Sequence, residues 1–348
     1  MDISLPSFGH TSATIREHPL ALRTVLWLIA SLLLLLGSVL RPQGVWRSAL
    51  GLTRPFLTLG LVILAGAVLD RAGAFRLLSR LPLRDRAGPR LSVALTLTFT
   101  ALLSGLINLD VAVVVSMPVS LAWCWSRRLS PSRAAIAVAL TANATSFLLP
   151  TSNLTNLLVL RRAPSWPLQY LDQSWLPWLL VASFTIACLS LLNWGSPLKS
   201  SGRADWDSGA APLVRASAVA PLSMLLDLAP LFLVATAVRA LFEGSLVLSG
   251  SLLHQTATGV ALAAGLDNLP AASAITTTAP ASHWAAILAC AIGPNILITG
   301  SVATLICRRL ALESGAGFNP FRFSAVGILL LPPQLALAWA GLHLSGAL

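Results

Sequence analysis

The chain has 348 residues, 56% of them hydrophobic and only 10% charged, with a mean hydropathy of +0.80. Soluble domains carry about 25% charged residues, and a soluble core of this length cannot hide so much apolar surface, so lipid must cover it. The net charge of +11 points to loops on one side of a membrane rather than to nucleic acid, because the arginines fall between apolar runs. Those runs are continuous rather than alternating, which argues against an outer-membrane barrel.

The expected fold is an all-α polytopic membrane protein of two repeats, each with transmembrane helices, a re-entrant hairpin and a broken helix. Residues 1–23 are a polar start holding Arg16 and Arg23. The apolar run at 24–40 lacks a small-residue cleavage site and reads as a retained span rather than a signal peptide. A second span follows at 55–69. Between 70 and 90 lie Arg71, Arg76, Arg80, Arg84, Arg86 and Arg90. This is the densest basic segment, and the positive-inside rule places it in the cytoplasm.

Two apolar arms over 91–125 hinge at Asn108-Leu109-Asp110 and return to the basic side at Arg127, Arg128 and Arg133. Each arm is at or below the ~17-residue minimum for a crossing, so a re-entrant hairpin is expected, its polar tip near mid-membrane. Irregular backbone at that depth is tolerated only under protein or water. Residues 134–160 exceed one span and are interrupted at Pro150-Thr151-Ser152-Asn153. Proline removes a backbone donor and clashes with the turn before it. The polar residues after it can pair freed backbone groups or offer oxygens to a ligand, so this reads as a broken helix. A span at 175–194 ends the first repeat, 1–194.

Residues 195–220 are the linker, and 221–348 the second repeat. Spans are expected at 222–242 and 246–264, with a hairpin at 265–281 whose tip is Asp267-Asn268. A helix over 284–309 is broken at Gly293-Pro294-Asn295 and at Thr299-Gly300-Ser301, and the last span lies at 324–345. The letters repeat as well. Thr151-Ser-Asn-Leu-Thr-Asn-Leu-Leu precedes Arg161-Arg162, and Thr299-Gly-Ser-Val-Ala-Thr-Leu-Ile precedes Arg308-Arg309.

Asp110 and Asp267 are the candidate proton-coupling residues. A carboxyl in a low-dielectric setting favours its protonated form, which suits a proton carrier. The competing role is capping of the helix that starts at each tip. Asn108, Asn143, Asn153, Asn268 and Asn295 can each donate and accept, which suits a polyhydroxy solute or a cation. Their competing role is interhelical hydrogen bonding. Thr151, Ser152, Thr299 and Ser301 sit at the breaks, where half-helix N-termini can bind oxyanions or neutral hydroxides. Asp227 is a possible counter-charge for Arg239, and His254 lies inside the 246–264 span. The four cysteines form no C-x-x-C pair and give no disulfide framework. No phosphate-loop, metal or nucleophile motif is readable. Neither a cofactor nor an enzymatic activity is expected.

Several of these segments resemble the arsenite-efflux permeases. That family belongs to an ion-transporter superfamily that also contains citrate-type carriers and some sodium–proton antiporters. Leu106-Ile-Asn-Leu-Asp-Val-Ala with Met117-Pro118 is similar to the family's Asn-Asn-Asp-Ala…Thr-Pro hairpin. Ala142-Asn-Ala-Thr-Ser…Pro-Thr-Ser-Asn-Leu-Thr-Asn-Leu resembles its Ala-Asn-x-Gly-Ser…Pro-x-x-Asn-x-x-Asn-Leu segment. Asp267-Asn-Leu-Pro-Ala resembles Asn-Asn-Leu-Pro-Ala, and Gly293-Pro-Asn…Thr-Gly-Ser-Val-Ala-Thr-Leu resembles Gly-Pro-Asn…Thr-Gly-Ser-Leu-Ala-Thr-Leu. The chain departs at Leu109, where the family often has Asn, and at Asp267. It also lacks an apolar span between Arg41 and Phe56.

The resemblance implies a multi-pass inner-membrane transporter with inverted repeats that exports arsenite or antimonite in exchange for protons. Expected partners are a small inorganic solute, protons or sodium and the lipid bilayer. A separate soluble ATPase subunit and a homodimer are compatible with it. Two alternatives stay open: a sodium- or proton-coupled anion carrier or cation/proton antiporter of the same superfamily, and an inactive homologue or membrane scaffold.

Overall fold

The computed structural model describes residues 19–72, 88–126, 129–160, 167–192, 221–242, 246–276 and 280–348. The linker at 195–220, all but the ends of the basic segment at 70–90, and Arg127 and Arg128 lie outside the described residues. Thirteen α-helices are described: α1 (Pro19–Leu40), α2 (Pro42–Arg71), α3 (Pro89–Leu106), α4 (Leu109–Ser126), α5 (Pro131–Ala144), α6 (Leu154–Leu160), α7 (Pro167–Leu192), α8 (Pro221–Phe242), α9 (Leu252–Leu266), α10 (Asn268–Ala274), α11 (Pro280–Ile292), α12 (Val302–Glu313) and α13 (Pro320–Leu344). Eight of them start at a proline. Its missing N–H would be unpaired at a first turn anyway, and its fixed φ is already helical. The sole strand pairing among the described residues is a two-residue parallel contact, β1 (Leu246–Val247) with β2 (Ile275–Thr276).

The distribution of polarity is reversed relative to a soluble protein. Leu28, Leu32, Leu35 and Val39 form an exposed stripe on α1, while Ser104, Ser116, Thr141, Asn143, Asn156, Asn295 and Thr304 are buried. Large apolar surfaces on the outside require an apolar cover, and small or polar residues inside let membrane helices approach and bond. Two helices, α7 over Leu168–Leu191 and α13, are long and apolar enough to cross a membrane. They pack along each other, and α1 and α2 both pack on α8.

The interior has two apolar clusters. One joins α3, α4 and α5 to α12 and the start of α13, through Leu97, Met117, Leu121, Leu140, Ile306 and Phe323. The other joins Phe147, Tyr170 and Val181 to α9, α10, α11 and the end of α13, through Ala263, Ile287 and Leu342. Each draws on residues from before and after the linker, so among the described residues the two segments share their cores.

Helix bounds differ from the expected spans most at α2, at α9 and at α7, which starts at Pro167 rather than 175. The stretch from Arg41 to Phe56 is the first half of the 30-residue helix α2; its arginines lower the hydropathy without breaking the helix. The span expected at 246–264 starts late. Residues 246–247 are β1, and the helix runs Leu252–Leu266 to a turn at Asp267. At 15 and 7 residues, α9 and α10 are about 22 and 10 Å long, and α10 ends at Ala274 rather than near 281. Both expected helix breaks have short 3-10 turns, at Pro150–Ser152 and at Gly293–Ile296 and Ile298–Gly300.

The second break is held by α13. A Cβ built on Gly327 would overlap the Asn295 carbonyl, whereas one on Gly265 meets nothing within 4 Å. Gly327→Ala should therefore destabilise the protein by about 1–3 kcal/mol through overpacking, while Gly265→Ala in the same fold should be neutral or slightly stabilising. Thermal unfolding in detergent micelles checks both; equal midpoints for the two variants would contradict this packing.

Candidate functional site

The two breaks follow the same backbone course. Leu149 and Leu297 are extended, at φ −117°, ψ 154° and φ −129°, ψ 145°. A three-residue 3-10 turn follows each. Asn153 and Ser301 then return to extended backbone, at φ −144°, ψ 137° and φ −149°, ψ 134°, before α6 and α12 begin. The breaks expose carbonyls and amides that a continuous helix would pair internally.

Side chains satisfy part of that demand. Asn143, at the end of α5, donates through Nδ2 to Asn295 Oδ1 at 3.0 Å and to Thr304 Oγ1 at 2.9 Å. Asn295 Nδ2 donates back to the Leu140 carbonyl at 3.1 Å. All three polar side chains are buried, so this crosslink joins the first break to the second across 152 residues of sequence. Around the first break, Asn153 Nδ2 donates to Ser146 Oγ at 3.1 Å, and Asn153 Oδ1 accepts from the Thr155 amide at 3.1 Å. Ser152 Oγ donates to the Leu149 carbonyl at 2.6 Å. Asn156 Nδ2 donates to the Ser146 carbonyl at 2.9 Å.

Each hairpin tip is built as an Asx turn. Asn108 Oδ1 accepts from the Asp110 amide at 2.8 Å, and Asp267 Oδ1 accepts from the Leu269 amide at 3.0 Å. Asp267 therefore stands where Asn108 stands in the first hairpin, two residues before the position of Asp110. The capping role foreseen for Asp110 belongs to Asn108, because a residue at N-cap, not in the first turn, can reach those amides. Asp267 does cap its helix. It also adopts φ 76°, ψ 147°, the one positive φ outside glycine among the described residues. That region is all but reserved for glycine and costs on the order of 1–3 kcal/mol elsewhere.

The tips meet the breaks crosswise. The first hairpin's α4 packs on α12, and the second hairpin's α10 packs on α6. Asp267 is buried, and its Oδ2 has no hydrogen-bond partner among the described residues. The Val302 amide at the start of α12 and the carboxyl of Asp110 both act on it electrostatically. Asn268 donates to the Cys290 carbonyl at 3.5 Å, and the half-buried Asn108 donates to the Thr151 carbonyl at 3.3 Å.

Nine of the eleven foreseen residues are buried or half-buried around this crossing; Thr151 and Thr299 are exposed. His254 is exposed in the first turn of α9 rather than inside a span. The side chain of Asp227 lies outside what is described. Sequence reasoning passed over Thr304 and Asn156, which sit three residues after Ser301 and Asn153. That shared spacing within the repeated letters was the available signal. Asn143 Oδ1, Asn156 Oδ1, Thr141 Oγ1 and Thr155 Oγ1 are buried without hydrogen-bond partners among the described residues. The α5 end and the first break therefore hold acceptors and hydroxyls not used by the described residues.

Among protein-family models, the one described as Citrate transporter matches residues 13–269. The match covers α1 through the Asp267 turn and ends within α10, so the second break lies beyond it. No curated protein matches the chain.

The crosslink sets a measurable coupling. A double-mutant cycle of Asn143→Ala and Asn295→Ala, read by unfolding in micelles, should give a favourable interaction of about 0.6 kcal/mol, rising to about 1.7 kcal/mol at most. Strict additivity of the two substitutions would show that the amides do not act on each other.

Proposed function

The chain belongs to the citrate transporter family, and from that premise we propose a multi-pass inner-membrane secondary transporter that exchanges a small oxygen-rich solute for protons. The two segments on either side of the linker act as structural repeats. The solute binds at the crossing of their breaks, held by Asn143, Asn153, Asn268, Asn295, Ser152 and Ser301, with Asn108, Thr151 and Thr299 at its margin. Asp110 and Asp267 carry the protons.

The observation that carries this reading is the buried Asp267 carboxyl, set at the Leu269 and Val302 amides and beside a second acid, Asp110. Two such groups repel when both are charged, and a proton or a cation relieves the repulsion. An intramembrane acid is a functional group by default. The remaining polar groups are amides and hydroxyls, and none of the eleven residues is basic. That chemistry suits a neutral hydroxide such as arsenous or antimonous acid. Each of its hydroxyl groups can both donate and accept, and amides answer both.

A second reading is a sodium- or proton-coupled carrier of a citrate-type anion, which the family match favours. A multivalent anion needs a counter-charge. Arg239 on α8 is the single Lys or Arg classed as buried among the described residues. Its guanidinium lies against Gly51 of α2, and α8 packs on α10.

Transport by purified protein in liposomes separates the two. Arsenite flux should accelerate under an imposed pH gradient, and Asp110→Asn and Asp267→Asn should each remove that acceleration. Flux indifferent to the gradient would refute proton coupling. Saturable citrate uptake that is lost in Arg239→Gln, with no arsenite flux, would establish the second reading in its place.

A further inference from the structure

At the open end of the first hairpin, away from the crossing, a cavity of about 20 Å3 lies between the first turns of α3 and α5 and the last turns of α4. That is room for one water molecule. The lining is mostly apolar, but Ser92, Thr96 and Ser120 bring hydroxyls to it. Ser92 and Thr96 donate to the Gly88 and Ser92 carbonyls, at 3.3 and 2.9 Å, and their oxygens can still accept. Ser120 is 2% exposed, and its Oγ has no hydrogen-bond partner among the described residues. A buried hydroxyl left unpaired is costly. One water here would accept from Ser120 and donate to Ser92 or Thr96.

The hydroxyls continue toward the tip. One turn on from Thr96, Ser120 and Ala137 stand Thr100, Ser116 and Thr141, all wholly buried. Residues four apart are neighbours on a helix surface, and α3, α4 and α5 all pack on one another. Thr100 donates to the Thr96 carbonyl at 2.9 Å. Ser116 Oγ and Thr141 Oγ1 have no hydrogen-bond partner among the described residues. Pro118, inside α4, has no N–H to give the Val114 carbonyl. One turn past Thr100, Ser104 donates to the Ala142 carbonyl at 2.6 Å, beside Asn143 at the crossing. From Ser116 to Asp110 is about 9 Å along the axis of α4.

We propose that these hydroxyls, with single waters between them, form a proton route through α3, α4 and α5 from the open end of the hairpin to Asp110. The route rests on the proton-coupled reading above and adds a path to it. In each transfer a hydroxyl oxygen takes a proton from one side as it releases its own to the other. The relay ends unchanged, and one proton has moved to or from the Asp110 carboxyl. Asp267 acts on Asp110 from the second tip, and Cys124 is the titratable side chain lining the cavity. A space for one water admits protons and no larger solute. Arg127 and Arg128 follow α4, and the positive-inside rule puts that end at the cytoplasm. Protons that drive export therefore leave by this route.

Two measurements on the full chain in liposomes test the route. Ser116→Ala/Ser120→Val removes two hydroxyls and fills the place of the water. Exchange of arsenite for arsenite at equal pH, which moves no net proton, should be unchanged. Acceleration of arsenite flux by a pH gradient should fall about tenfold, the rate equivalent of one hydrogen bond lost from the transfer path. A gradient-driven wild type whose variant keeps its full acceleration would overturn the route alone. A wild type indifferent to the gradient would overturn the proton-coupled reading and the route with it. X-ray hydroxyl-radical footprinting, which oxidises side chains beside bound water, gives the second readout. Cys124, at the cavity, should be labelled well above the equally inward Cys307, which does not line it, and Ser120→Val should cut that label. Equal labelling of the two thiols would remove the water and overturn the route. Should the double variant fail to fold, Ser116→Ala alone carries the flux arm; should arsenite not cross, the footprint decides.

Discussion

Everything in this fold follows from one constraint: a polar backbone group without water must find a partner inside the protein. The chain interrupts two helices in its interior and so creates unpaired amides and carbonyls where they are most costly. Asn143 and Asn295 answer the demand together. Each spends its amide N–H groups on the other break or on the backbone that leads to it. The same residues that repair the breaks thereby tie the two segments to each other. A hydrophobic substitute at either position would leave the partner stranded and a carbonyl bare. The crosslink and the irregular backbone cannot be understood apart.

The crosswise packing extends that logic. α4 rests on α12 and α10 on α6, so each hairpin tip is completed by the break on the far side of the linker. Both apolar clusters are mixed in the same way. A chain organised like this cannot fold one segment first and dock the other later without exposing both breaks. The close backbone contact of α13 with the Asn295 turn adds a third element to the same junction, and only glycine at 327 allows it.

Much of this was legible in the letters. Apolar runs placed α8 and α13 within a few residues and covered α1 and α7 without their first turns, and proline or glycine among polar residues located both breaks. The acids marked both tips. What failed did so for identifiable reasons. Hydropathy left the stretch from Arg41 to Phe56 outside any apolar span, but charged residues do not terminate a helix, so α2 runs through Arg47 and Arg54. The run from Leu246 was read as one span across its polar residues; Gly250 and Ser251, the cap of α9, were the missed punctuation, with Ser251 Oγ accepting from the His254 amide. The partnership of Asn143 with Asn295 and Thr304 was out of reach. Spacing along a chain shows which residues share a helix face, and it carries no information about which faces meet across 152 residues.

The two tips also turned out to be chemically unequal, although the sequence presents each as an Asn beside an Asp. In the first, Asn108 provides the cap and leaves the Asp110 side chain free of that duty. In the second, Asp267 itself provides the cap, with one carboxyl oxygen committed to the Leu269 amide and the other uncommitted among the described residues. Both acids remain close enough to act on each other. Replacing Asp267 by asparagine would keep the capping oxygen and remove the charge, whereas the same change at Asp110 would remove charge without touching any cap. The strain at φ 76° belongs to the second tip alone, where a 15-residue helix must reverse into a 7-residue one with no spare residue in the turn. The first tip has Ile107 and Asn108 between its helices and needs no such conformation. A single residue thus serves as turn, cap and charge at one tip, while the other divides those tasks among three.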